Sequence, residues 1–129
     1  MPTPVVSPHE LRPKPSPLPR IRVANRKHRC YELAGKGLFK EPSWSLVHGT
    51  AYRWKLGHAW LQKGDWIYDP VADQCLTASE YEAIYEARAE RTYAVKEAAE
   101  LVARTLHWGP WHGAWEGWRF PHFEHLTAE

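Results

Sequence analysis

Between residues 56 and 69 apolar and polar positions alternate along two short runs with a turn between them. His58-Ala59-Trp60-Leu61-Gln62 reads as a strand, and Lys63-Gly64-Asp65 supplies turn chemistry. Trp66-Ile67-Tyr68-Asp69 returns until Pro70, which has no N–H for a ladder, stops it. The pattern predicts a β-hairpin. Upstream, Ser43–Thr50 and Tyr52–Leu56 alternate in the same manner, so an antiparallel sheet of about four strands is expected, with Ile21–Asn25 as a short edge strand. Arg29–Ala34 predicts one helical turn, ended by Gly35 and Gly37. After residue 76 the period becomes helical. Thr77 and Glu80 have the spacing of a capping box, and Tyr81, Ile84, Tyr85 and Arg88 follow at i, i+3, i+4 and i+7. Thr92 is the expected cap of a second helix with Val95, Ala98, Ala99, Val102 and Leu106 on one stripe. Both stripes are expected to be core. The stretch His107–Trp118 has no clean period and holds Trp108, Trp111, Trp115 and Trp118. It is expected to wrap back and bury its indoles, with an aromatic ligand-binding wall as the alternative.

The fold expected is therefore α+β: a small antiparallel sheet with a cysteine-bearing helical segment and two C-terminal helices packed on it. The chain of 129 residues, 43% hydrophobic, suits one soluble domain. No apolar run approaches the roughly 18 residues of a membrane span. The first residues lack the charged head and apolar stretch of a secretory leader, so a cytoplasmic protein without membrane contact is expected. Seven of the 11 prolines fall within residues 1–19, which predicts an extended arm over residues 1–20 ahead of a domain spanning 21–129. Residues 1–29 carry seven Lys and Arg against Glu10 alone, whereas the remainder has ten basic and 14 acidic residues, an asymmetry of +6 against −4. The arm has no interleaved aromatics to stack on bases. It is therefore expected to be solvated along an acidic body, and binding of nucleic acid through residues 12–29 is the weaker alternative.

Two cysteines, Cys30 and Cys75, are too few for a secreted disulfide scaffold; a single bridge between them is the alternative to two thiols of different role. His107, His112, His122 and His125 crowd the C-terminus, but without a C-x-x-C pair neither a metal site nor a cofactor is expected. The stronger chemistry lies in the hairpin. Folding it brings Asp69 to His58, and a carboxylate beside an imidazole fixes the ring's tautomer and orientation. Cys30, at the start of a helical turn, completes a nucleophile, base and orienting acid.

Arg29-Cys30-Tyr31-Glu32-Leu33-Ala34, Leu46-Val47-His48-Gly49, Gly57-His58-Ala59-Trp60-Leu61 and Ile67-Tyr68-Asp69-Pro70-Val71 together resemble the transglutaminase-like branch of the papain-like cysteine enzymes. They are also similar to small uncharacterised proteins encoded by phages and bacteria. The resemblance spans residues 29–71. It implies Cys30 as nucleophile, His58 as base and Asp69 as orienting carboxylate, in a cysteine-dependent hydrolase, deamidase or transamidase acting on a protein or peptide-like amide. No glutamine precedes Cys30 to polarise the substrate oxygen, so Asn25, Trp60 or the Cys30 backbone N–H is the candidate support. The other reading is an inactive phage-type protein in a host cytoplasm, holding a host protein through the tryptophan-rich tail or the basic arm.

Overall fold

The computed structural model describes residues 13–51 and 56–111. In chain order its elements are α1 (Cys30–Lys40), β1 (Ser45–Ala51), β2 (Leu56–Lys63), β3 (Trp66–Asp69), β4 (Gln74–Thr77), α2 (Ala78–Tyr85), β5 (Arg88–Tyr93) and α3 (Val95–Thr105). The five strands form one antiparallel sheet in the order β4-β3-β2-β1-β5. The fold is thus α+β with three helices among the described residues.

The two-residue period of the strands sorts the core into two layers. Leu46, Ala59, Leu61, Trp66, Tyr68, Cys75 and Tyr93 join Ala34 and Leu38 of α1 and Ala98 and Leu101 of α3 in one cluster. Val47, Trp60 and Ile67, the intervening residues, join Tyr81 of α2 in the other. The sheet is covered on both faces, which accounts for a β3 buried along its whole length.

The hairpin forms as expected, with Gly64 at a left-handed φ of 59° in its turn. The capping box also forms: Thr77 Oγ1 accepts from the Glu80 amide at 3.2 Å, and Glu80 Oε1 accepts from the Thr77 amide at 3.0 Å. Other expectations are corrected. The sheet has five strands, not the four expected: β4 and β5 lie where no strand was expected, β5 because residues 88–93 pair with β1, and of the expected strand at 52–56 only Leu56 lies within the described residues, as the first residue of β2. Glu86 ends α2 in the left-handed region, and only Tyr93 of β5 is buried. Gly49, beside a bulge in β1, permits the pairing, since a Cβ there would stand 2.1 Å from the Arg88 carbonyl oxygen. Thr92 therefore lies in a strand, and α3 starts after Ala94 without a side-chain cap. Its buried residues are Ala98 and Leu101; Ala99 and Leu106 are exposed, as is Ile84 of α2.

Gly35 and Gly37 do not break α1. The helix runs for 11 residues through both. A Cβ at Gly35 would come 2.4 Å from Trp108 Cε3, and one at Gly37 would come 2.4 Å from the Pro19 carbonyl oxygen and 2.9 Å from Leu61 Cδ1. The glycines admit neighbours that no side chain would tolerate.

Residues 13–29 lie along the body, and no strand forms at 21–25. Leu18 packs on the core and Pro19 is buried. Arg20 Nε donates to both oxygens of Asp73 at 2.9 and 3.0 Å. Arg26 donates to the carbonyl oxygens of Pro70 at 2.7 Å and Ile21 at 2.6 Å. Trp111 is buried, stacked 5.1 Å from His48 and edge-on 5.2 Å from Tyr93. Residues 1–12, Tyr52–Lys55, Trp115, Trp118, His112, His122 and His125 lie outside the described residues. No described helix is long and apolar enough to cross a membrane.

Gly37→Ala separates two opposed effects. Helix propensity alone would stabilise the protein by about 1 kcal/mol. The clash is with backbone, which cannot swing aside, so overpacking should win and destabilise by about 1–3 kcal/mol. A lowered urea midpoint is expected; a raised one would contradict the close approach of Pro19 to α1.

Candidate active site

The β2–β3 ladder ends at the rung Leu61↔Tyr68. Beyond it β2 continues paired with β1, while β3 gives one more residue, Asp69, before the turn at Pro70. Trp60 and Ile67 mark the face on which His58 and Asp69 follow by alternation, and there the two side chains meet: His58 Nε2 lies 2.9 Å from Asp69 Oδ2.

Asp69 is buried and fully engaged. Its Oδ1 accepts from the amides of Val71 at 2.9 Å and Ala72 at 3.1 Å, an Asx turn made possible because Pro70 bends the chain back. Its Oδ2 accepts from His58 and also from the Tyr81 hydroxyl at 2.5 Å. The turn is held from outside by the Asp73 amide on the Asp69 carbonyl at 2.7 Å, by Arg26 on the Pro70 carbonyl, and by Tyr68 and Arg20 on Asp73.

Cys30 opens α1 and is partly exposed, a free thiol. The first i→i−4 bond of the helix runs from the Leu33 amide to the Arg29 carbonyl at 2.9 Å, so the Cys30 N–H belongs to the uncommitted first turn. Cys30 lies close enough to the His58 ring to raise its proton affinity. Nε2 is taken by Asp69, which leaves Nδ1 as the nitrogen for a second partner. Arg29 and Lys36 both grip Glu32, at 2.9 and 2.7 Å, and steady this end of the helix.

The electrostatics follow from these contacts. Burial lowers the proton affinity of His58, but its hydrogen bonds to Asp69 and Cys30 and their charges outweigh that loss, and its pKa rises from 6.5 to about 10. Burial pushes the Asp69 carboxyl up; His58, then Tyr81 and the Ala72 amide, bring it below the ordinary value. Arg29, opposed by burial and assisted by Lys36, lowers Glu32 to about 2. Cys75 is the opposite kind of cysteine: buried in the core, its thiol is pushed up by burial.

The structure thus brings Cys30, His58 and Asp69 together. Trp60 is buried beside them, its ring 6.0 Å from that of His58 and 5.3 Å from that of Tyr81. Asn25 is exposed, and its side-chain oxygen accepts from the Lys27 amide at 3.2 Å, within the loop that leads to α1. Two residues of the site carry no sequence signal. Tyr81 reads as one more apolar position of α2, and Arg26 as one cation among many in the arm. Among the described residues no group of three His, Cys, Asp or Glu side chains could hold a metal ion. Comparison with family models, curated proteins and solved structures finds no match to this chain.

His58 binds its proton more tightly in the folded chain than in the unfolded one. The stability that it contributes is complete below pH 6.5 and is lost as the pH rises through about 10. The urea midpoint is expected to fall across this window, and His58→Gln should flatten the fall. Equal slopes in both proteins would show that His58 is not held by Asp69 and Cys30.

Proposed function

We propose that this protein is a cysteine-dependent acyl-transfer enzyme of the transglutaminase-like or papain-like kind. The observation that carries this reading is the imidazole of His58, bonded through Nε2 to a buried carboxylate and with Cys30 close enough to raise its proton affinity. A core histidine needs one partner, and a histidine between a thiol and a carboxylate is arranged to move a proton. Cys30 alone of the two thiols has such a neighbour and is partly open to solvent.

In the reaction, the proton of the Cys30–His58 pair rests on the imidazolium, with His58 Nδ1 protonated, and Sγ attacks the carbonyl carbon of an amide as the thiolate. The carbonyl oxygen takes up negative charge near the Cys30 N–H, at the positive end of α1. His58 then gives the proton to the leaving nitrogen, the C–N bond breaks and a thioester remains on Cys30. Water or an amine attacks that thioester, with His58 again taking and returning a proton. Hydrolysis and deamidation use water; transamidation uses an amine. Asp69 stays ionised throughout and holds the ring. The substrate class is a protein or peptide-like amide.

At pH 7 iodoacetamide should label Cys30 much faster than Cys75, and His58→Ala should remove most of that advantage. An activated ester should leave its acyl group on Cys30 by mass spectrometry, with no adduct in Cys30→Ser. Equal labelling of the two thiols in the native protein would overturn the reading.

A further inference from the structure

We infer that Tyr81 is a positioning residue of the site, acting on His58 through Asp69: its hydroxyl shares Oδ2 with the imidazole and draws off part of the carboxylate's charge. The inference rests on the acyl-transfer reading only for its consequence in the reaction, since the contact itself is structural. Tyr81 is fully buried, and its ring packs against Trp60 at 5.3 Å and Tyr85 at 4.9 Å, so its position is fixed by the α2 layer. Packing alone would be served by phenylalanine. The hydroxyl is instead delivered to the one carboxylate oxygen that His58 uses, 12 residues away along the chain.

Each donor on a carboxylate stabilises its charge and makes it a weaker acceptor for the next. Oδ1 is already fixed by two backbone amides, so Asp69 keeps its orientation without Tyr81. What the phenol adds is restraint. With three donors besides His58, Asp69 does not compete for the Nε2 proton, and its hold on the imidazolium is tempered. His58 must hold its proton while Cys30 reacts and then give it to a leaving nitrogen. A bare carboxylate would favour the first step and hinder the second, and a tempered one serves both. The placement also joins the two layers: the thiol comes from α1, on one face of the sheet, and the tempering group from α2, on the other.

The test is the His58 titration in full-length Tyr81→Phe, followed by ring NMR and assigned with His58→Gln, with a urea transition to establish folding. Loss of the hydroxyl should raise the His58 midpoint by about half to one pH unit, a three- to tenfold gain in proton affinity. Fluorotyrosine placed at position 81 alone keeps the fold and is a stronger donor, so it should lower the midpoint. A purely structural role would change the urea transition and leave both midpoints where they were. No shift, or shifts of the opposite sign, would overturn the inference. If the titrations behave as expected while iodoacetamide does not distinguish Cys30 from Cys75, the acyl-transfer reading fails and the tuning of His58 stands.

Discussion

The carboxylate of Asp69 is a buried charge, and much of the molecule is arranged around it. A charge removed from water is tolerated only when hydrogen bonds replace its hydration. Asp69 receives four, two from its own turn, one from β2 and one from α2. These donors come from separate parts of the chain, so the carboxylate fixes the β3–β4 turn, the end of the hairpin and the first turns of α2 relative to one another. The arm extends this arrangement. Arg26 ties the loop that enters Cys30 to the carbonyl just after Asp69, and Arg20 and Tyr68 hold Asp73, which closes the same turn. Within the described part of the arm, Leu18 and Pro19 pack on the body and Arg20 is tied to it.

The imidazole of His58 is where these constraints become chemistry. One nitrogen is anchored to a fixed charge, leaving the other for a second partner, with the Cys30 thiol close by. Desolvation, which by itself would make the ring less basic, instead strengthens both contacts, because a low dielectric amplifies the attraction between ring and carboxylate. Cys75 shows the contrast within one chain. It lies buried on β4 opposite Tyr68, in the core layer that Tyr68 shares, and burial pushes its thiol up.

Local signals carried much of this in the sequence. The hairpin was legible because alternation, a Lys-Gly-Asp turn and a terminal proline agree, and the pairing of His58 with Asp69 followed from it. The capping box at Thr77 was legible for the same reason. What escaped depends on contacts between distant residues. Gly35 and Gly37 look like helix breakers until Trp108 and Pro19 are seen against them. Residues 88–93 contain Arg, Ala and Glu, good helix formers, and become a strand through pairing with β1 alone. Leu106 leaves the core because it caps α3 in the left-handed region, past the last helical residue, while Leu101 shares the buried face of Ala98. Tyr81 could not be separated from an ordinary core tyrosine, since only the folded chain carries its hydroxyl to Asp69.

The central claim is that His58 is held in its charged form between Cys30 and Asp69. Nitrogen-15 NMR of the histidine rings at pH 8 tests it most directly. With a pKa raised to about 10, both nitrogens of His58 should carry protons at this pH, and Asp69→Asn should leave only one. A His58 ring already neutral at pH 8 in the unaltered protein, titrating near the ordinary 6.5, would contradict the account.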